Sequence, residues 1–188
     1  MKETLQNILI ANEKNHGLKI RNQNFSNEII FEKEIFTGII DRLNFSNWQF
    51  KKVDLLSNFF LNCTFKRCKF EDIIFYKSEF CECVFENCRI IPSEAIKTDF
   101  QETIFKNGEF KHIDFGWSYF ASCQFLEIRL DEINFEGIIM SNLKAKSTTS
   151  LNLHFHEKFP MKFWKCNRPI NIKDSSSFDK LLRDSQLD

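Results

Sequence analysis

The sequence predicts an all-β solenoid, a chain wound into four-sided coils that stack on one another. Three observations carry this reading. Every fifth residue from Ile20 to Ala145 is apolar without exception, and most of these centres are Phe, with unbroken runs from Phe60 to Phe85 and from Phe100 to Phe125. Over the middle of the chain the residue two places before each centre is mostly small or β-branched, as at Cys63, Cys68, Ile73, Ser78, Cys83, Cys88, Thr98, Thr103, Gly108 and Ser118. Centres four repeats apart are also alike: Ile20, Ile40, Phe60, Phe80, Phe100, Phe120 and Met140 form one series, and Phe25, Phe45, Phe65, Phe85, Phe105 and Phe125 the next.

Neither regular period accounts for a repeat of five. Five steps along an α-helix rotate the side chain by about 140°, and five steps along a flat strand move it to the opposite face. The backbone must therefore turn once per repeat, holding one large and one small side chain inside. Four such turns close a square, and coil then stacks on coil at about 4.8 Å. With 5 Gly and 3 Pro against 23 Phe, the chain is too poor in turn formers for many conventional hairpins.

Units such as "CTFKR", "CKFED", "SEFCE", "TDFQE", "TIFKN" and "SYFAS" resemble those of the pentapeptide-repeat proteins, and the resemblance covers about two thirds of the chain. It implies a right-handed quadrilateral parallel β-helix of about six coils.

The elements follow in order. Residues 1–17 are expected to cap the first coil as a short amphipathic helix or strand, since an exposed solenoid end needs a cover. Residues 18–145 form the coils. Gln23, Glu28, Lys33 and Trp48 stand at the small inward position, so the first coils should be distorted or slip register near "IIFEKEIF". Ala95, just after Pro92, should leave a hole and a local bend in its column. In residues 146–188 "KAKSTTS" reads as a linker and "LNLHFH" as a short alternating strand. "MKFWKC" and "INIK" can pair across "NRP", and "SSSFDKLLRDS" reads as a helix opening on Ser with Asp179 placed for a capping box. Phe155, Phe159, Phe163, Trp164, Phe178, Leu181 and Leu182 of this tail must be buried, either as a cap on the chain's own coils or in a homodimer. The family resemblance implies the second, because a C-terminal helix builds the dimer in several members.

Five cysteines between Cys63 and Cys88 invite a metal reading. The repeat argues against it: Cys63 and Cys83 share one side of the square, and Cys68 and Cys88 share the next. Four ligands converging at about 2.3 Å on one zinc ion cannot come from two walls with Phe rings between them. These four read as small partners of the Phe centres, and Cys81 as the outward, reactive thiol. His154 and His156 share a face of the predicted strand, which makes the tail the one seat for a metal-dependent activity. No phosphate loop, catalytic triad or HExxH motif is present, so no cofactor is expected and the chain does not read as an enzyme.

Glu34, Asp54, Glu94 and Asp114 form an acidic ladder on one side, in a position suited to bonding the turn backbone. Glu79, Glu82, Asp99 and Glu102 form a second, a candidate acidic surface. Apolar residues also occur where the register points outward. Phe36, Leu56, Tyr76 and Ile96 recur at every fourth repeat on one side, with Ile39, Phe59 and Leu61 around the corner and Trp117 and Tyr119 further up. Such a ridge is either an interface or a surface covered by the chain's own ends.

The formal net charge is 0 with 28% charged residues, so nothing favours direct nucleic-acid binding. No signal-like or membrane-spanning segment stands out, and an odd number of cysteines fits the cytoplasm. The expected role is that of a non-enzymatic scaffold docking another protein on its outer faces. The resemblance implies one alternative, a DNA mimic that binds DNA gyrase or another type II topoisomerase and protects it from quinolones or toxins. The chain lacks the strong negative charge such mimicry needs.

Overall fold

The computed structural model describes the backbone of residues 19–21, 24–26 and 29–34, and residues 38–165 and 168–185 in full. The N-terminal cap expected over residues 1–17 lies outside the described residues. Within them the chain climbs as a parallel β-solenoid in which each coil takes four repeats: Phe60 pairs with Phe80, Phe80 with Phe100 and Phe100 with Phe120. A first sheet of nine strands and two of seven form three sides. The fourth side is built of turns that hydrogen-bond from coil to coil, as in Phe75 N to Glu94 O at 2.7 Å and Ala95 N to Asp114 O at 2.7 Å.

The device that turns the chain is a left-handed residue two places after each centre. At every fifth position from Arg42 to Asn152 the backbone takes a positive φ near 55°, with Pro92 the one exception among them. Most of these residues carry side chains that disfavour this region, at a cost of about 1–2 kcal/mol each. Each corner recovers its hydrogen bonds from the coil above, as Asn62 N donates to Cys81 O at 2.9 Å and Arg67 N to Glu86 O at 2.8 Å. Gly is required at Gly137 for a second reason. A Cβ there would meet the Trp117 ring at 2.8 Å.

The centres meet inside as ring stacks. Phe60 and Phe80 lie 4.6 Å apart at 3°, Phe45 and Phe65 4.9 Å apart at 2°, and neighbouring columns meet edge to face, as Phe60 and Phe65 do at 64°. Burying each ring contributes about 1.5–3 kcal/mol, comparable to or larger than the cost of its corner. Ala95 does leave a hole, a void of about 10 Å³ lined by Phe75, Phe85, Phe100 and Phe115, too small and too apolar to hold water. The expected bend does not interrupt the wall, since the strand Arg89–Glu94 runs on through Pro92. Ile90 still pairs with Phe70 and Phe110, and Ser93 with Ile73 and Ile113.

The expected register slip near "IIFEKEIF" does not occur, since Ile30 pairs with Phe50 and Lys33 with Val53. Trp48 is fully buried at its inward position, 5.2 Å from Phe45 and 5.4 Å from Phe50.

Two expectations for the tail need correction. The coil does not stop at residue 145: Lys144–Lys146 and Thr149–Leu151 are strands of the second and third sheets, and His154 bridges to Asn134. "KAKSTTS" is therefore wall rather than linker, and "LNLHFH" carries the coil's last strand and bridge rather than one alternating strand. Its Thr148 hydroxyl donates to Phe125 O at 2.9 Å, as the coil's other hydroxyls do. Secondly, the N-cap of the helix Ser175–Asp184 is Asp174, whose carboxylate accepts from Ser177 N at 2.7 Å. Asp179 instead accepts from the Ser150 hydroxyl, tying the helix to the last coil.

The tail closes its own solenoid. Met161–Lys165 joins the first sheet with Phe163 beside Met140, then pairs antiparallel with Arg168–Ile172, as the sequence predicts. The helix lies over the open end, where Phe178 packs 4.9 Å from Phe135 and Leu181 and Leu182 are buried. Four of the seven residues set aside for tail packing, Phe163, Phe178, Leu181 and Leu182, are thus buried within the chain, and Phe155 is half-buried. Phe159 and Trp164 remain exposed.

The left-handed corners can be tested at exposed Asn87, where φ is 56°. Asn87→Val is expected to lower stability by about 1–2 kcal/mol in chemical denaturation, because a β-branched side chain clashes in this region. Asn87→Gly should leave it unchanged or raise it.

Candidate functional site

The cysteines come first, because the structure gives their position a chemical role. Each buried thiol donates to a carbonyl on the coil below: Cys63 to Ile40 O at 3.4 Å, Cys83 to Phe60 O at 3.4 Å, Cys88 to Phe65 O at 3.2 Å, Cys123 to Phe100 O at 3.4 Å. Cys68 does the same to Phe45 O at 3.6 Å. Hydroxyls at this position behave alike, as Thr98 reaches Phe75 O at 2.7 Å and Thr103 reaches Phe80 O at 3.0 Å. The small inward residue is therefore a hydrogen-bond donor as well as a space-saver. Among the described residues no three His, Cys, Asp or Glu side chains are placed to hold a metal ion.

The thiols divide in their proton affinity: Cys63 and Cys68 are lowered, chiefly by hydrogen bonds with the stacked Cys83 and Cys88, and the other three are raised. Burial pushes Cys123 up to about 12 and, together with the stacked Cys63 thiol, holds Cys83 well above the ordinary range. Cys88 is raised by its stacked neighbour Cys68 and by burial. Cys81 is half-exposed as its register requires, yet burial and the carboxylates of Glu82, Glu102 and Glu79 raise its pKa too. Cys81 is thus the accessible thiol of the stretch, as its outward register predicts, with a pKa raised rather than lowered. His156 is engaged in its loop, where its Nδ1 accepts from Lys158 N and Phe159 N at 3.2 and 3.3 Å, while His154 bridges to the last coil.

The acidic ladder expected to bond the turns does so at Asp114. Its Oδ1 accepts from Gly116 N at 2.8 Å and Asn134 Nδ2 at 2.9 Å, and Asn134 Oδ1 accepts from Glu136 N at 3.1 Å. Asp54 and Glu94 stack in the same column; Glu34 has only its backbone described.

The outer surface is divided by charge. The third sheet carries a ladder of ion pairs between coils: Lys51 with Glu71 at 3.0 Å, Arg89 with Glu109 at 2.9 Å and Lys111 with Asp131 at 3.0 Å. The second sheet adds Lys66 with Glu86 at 3.1 Å. The first sheet differs. Over its middle coils the outward columns run Phe59, Glu79, Asp99, Tyr119, Ile139 and Leu61, Cys81, Gln101, Ala121, Ser141, and basic residues enter only at the ends, with Lys19 and Arg21 on the first strand and Lys162 on the rung above Ile139.

The predicted ridge falls into two parts on and beside this face. The lower part is Ile39, Phe59 and Leu61 on the first sheet, with Leu56, Tyr76 and Ile96 stacked on the fourth side, all half-buried. The Tyr76 ring is covered by Lys77 and Lys97, whose ammonium groups lie 5.2 and 5.7 Å from its centre. Phe36 lies outside the described residues. The upper part is more open: Trp117 is 48% exposed, Tyr119 40% and Ile139 36%. Phe159 of the tail packs 5.0 Å from Trp117, held there by Gly137 N donating to Phe159 O at 2.8 Å. Between the two parts Glu79 and Asp99 stack in register with Glu82 and Glu102 at the next corner, and partial burial with the Glu79 charge raises the Asp99 pKa. Ile139 is absent from the sequence-derived ridge, although counting one more coil up from Tyr119 would have found it. The tail's coverage of the ridge amounts, among the described residues, to Phe159 on Trp117.

No helix of the described residues is long and apolar enough to cross a membrane. Residues 58–135 match a family model described as a pentapeptide repeat region. No curated protein matches the sequence. Among solved structures the chain is similar to trypsin-treated QnrB1, a plasmid-mediated fluoroquinolone resistance protein, with 13% identity over 69% of this chain and 92% of that one and a TM-score of 0.39. It is also similar to Rfr23 from the cyanobacterium Cyanothece 51142 (10% identity, 86% and 100% covered, TM-score 0.27). A third is HetL, involved in heterocyst differentiation regulation in Nostoc sp. strain PCC 7120 (9% identity, 81% and 95% covered, TM-score 0.22). These identities and scores transfer no role.

The thiol chemistry is open to a direct check. In a Cys166→Ser background, native alkylation is expected to label Cys81 alone and slowly, with a rate still rising above pH 9 because the raised pKa withholds the thiolate. Rapid labelling of more than one thiol, or a rate that levels below pH 9, would contradict the assignment. The repeat of five and the square coils continue on both sides of residues 58–135, the part of the chain that matches the pentapeptide repeat region.

Proposed function

We propose that the protein is a non-enzymatic scaffold that docks another protein on its first sheet and the adjoining corner. The observation that carries this is the division of the surface: coil-to-coil ion pairs saturate the third sheet, while the first presents aromatic, aliphatic and acidic side chains. An exposed apolar surface ringed by polar groups is how protein interfaces are built, and large aromatic side chains supply most of their energy. Trp117, Tyr119 and Ile139 would be the anchors, with Phe59, Leu61, Leu56, Tyr76 and Ile96 extending the contact downward. The rod holds them rigidly, so little ordering entropy is lost on docking. Affinity capture from the source cells checks this. The wild type should retain a discrete protein, Tyr119→Glu should lose it at least tenfold, and Arg89→Glu on the third sheet should not. Equal capture by all three would sink the assignment of the face.

A second reading is favoured by Glu79, Asp99, Glu82 and Glu102 clustering on the same side: a DNA-like surface for a type II topoisomerase such as DNA gyrase. Four carboxylates over two coils are a short imitation of a duplex, which carries one charge per about 1.7 Å. A supercoiling assay with and without a quinolone separates the readings; protection that vanishes in Glu79→Lys/Asp99→Lys supports mimicry, and no effect at micromolar protein excludes it. Self-association belongs with the first reading. The tail's contribution would be limited to Phe159 and Trp164, because its other apolar residues are buried or half-buried in the cap.

A further inference from the structure

The helix Ser175–Asp184 crosses the top of the solenoid without filling the space between itself and the hairpin Met161–Lys165/Arg168–Ile172. What remains is a cleft of about 540 Å³, within the range of small-molecule sites. Leu143, Phe163, Ile172 and Leu181, all buried, form its floor, and Trp164 and Ile170 its outer wall. The wall residues are 41% and 47% exposed, and both line this cleft.

The mouth is basic. Lys165 and Lys180 line it, and neither forms an ion pair with a described residue; Asp184 is the single acid there. An apolar floor under two ammonium groups that no described carboxylate pairs complements a ligand with a hydrocarbon body and an anionic head. The ammonium groups sit on separate elements, one at the end of a strand and one on the helix. A carboxylate between them would join hairpin to helix across the gap. A neutral ligand would leave them as they are, and a cationic one would be repelled.

The geometry points to a binding site for a medium-chain fatty-acid carboxylate in the cleft between the capping helix and the last hairpin. This site is on the end of the rod, where the last two strands of the first sheet wall the cleft, and it does not use the anchors Trp117, Tyr119 or Ile139. A bound chain would cover Trp164 and Ile170 and hold the cap in place, so the ligand stabilises the closed end.

The test is titration of the full chain, carrying Trp117→Phe so that Trp164 dominates the exposed indole signal, with dodecanoate below its micellar concentration. Dodecanol and dodecyltrimethylammonium serve as comparison probes. Saturable quenching or blue shift with dodecanoate, a rise in Tm, and a loss of at least tenfold in affinity in Lys165→Ala/Lys180→Ala are expected. Ile170→Lys, at an exposed wall position, should abolish binding while leaving the unliganded Tm unchanged. The proposal is overturned if dodecanoate fails to saturate, if dodecanol or the ammonium binds as tightly, or if the double-lysine variant binds unchanged.

Discussion

A left-handed residue at every fifth position is the constraint on which the rest of the structure depends. It turns a strand through a corner often enough that no strand grows long, and it aims two side chains of each five into the same interior. Regular helix and sheet settle their backbone hydrogen bonds locally or within one plane; here each corner depends on the coil above and the coil below. A single coil is therefore unstable alone, and stacking is what makes the conformation tolerable. The Phe centres supply the compensation. An apolar centre is buried beside nearly every corner, most often a Phe, and the rings stack because every coil takes the same four repeats and so brings like centres into register.

The inward small position explains why cysteines cluster without forming a site. Its requirement is a short side chain with a proton to give to the carbonyl of the coil below. Cys, Ser and Thr meet it equally, and they alternate freely along the columns. In the column Leu43, Cys63, Cys83, Thr103, Cys123, Leu143 the longer side chains stand at the two ends and the donors between them. At Gly108 even a methyl group would press on Cys88 O at 3.0 Å. Spacing that looks like a ligand set is thus the footprint of a wall. Sulfur is there for its size and its weak S–H donor.

The repeat imposes least on the outside of the rod. Residues beside the centres and at the corners are free to vary, and the variation here is organised by side. Paired charges on the third sheet keep that face hydrated and neutral, while the first sheet collects aromatic and acidic groups. The tail contributes in two ways. It seals the apolar end that the repeat would leave open, and it brings Phe159 against Trp117, extending the exposed apolar patch with a residue from beyond the coils.

The five-residue period by itself determined the solenoid, the columns, the inward cysteines and the sides to which the outward residues belong, because each follows from counting along one chain. The Ala95 void and the Asp114 turn bond were legible for the same reason. The tertiary structure decided what counting cannot reach. Phe163 lies out of phase with the repeat to which Met140 belongs, yet its strand becomes the next rung because an intervening loop takes up the difference. Asp174 caps the helix and Asp179 binds Ser150, a choice set by where the helix lands on the last coil. Cys81 is accessible yet its pKa is raised, by partial burial and by carboxylates from the next coil as well as its own. The cleft under the hairpin exists only because two elements distant from the repeat meet over its open end.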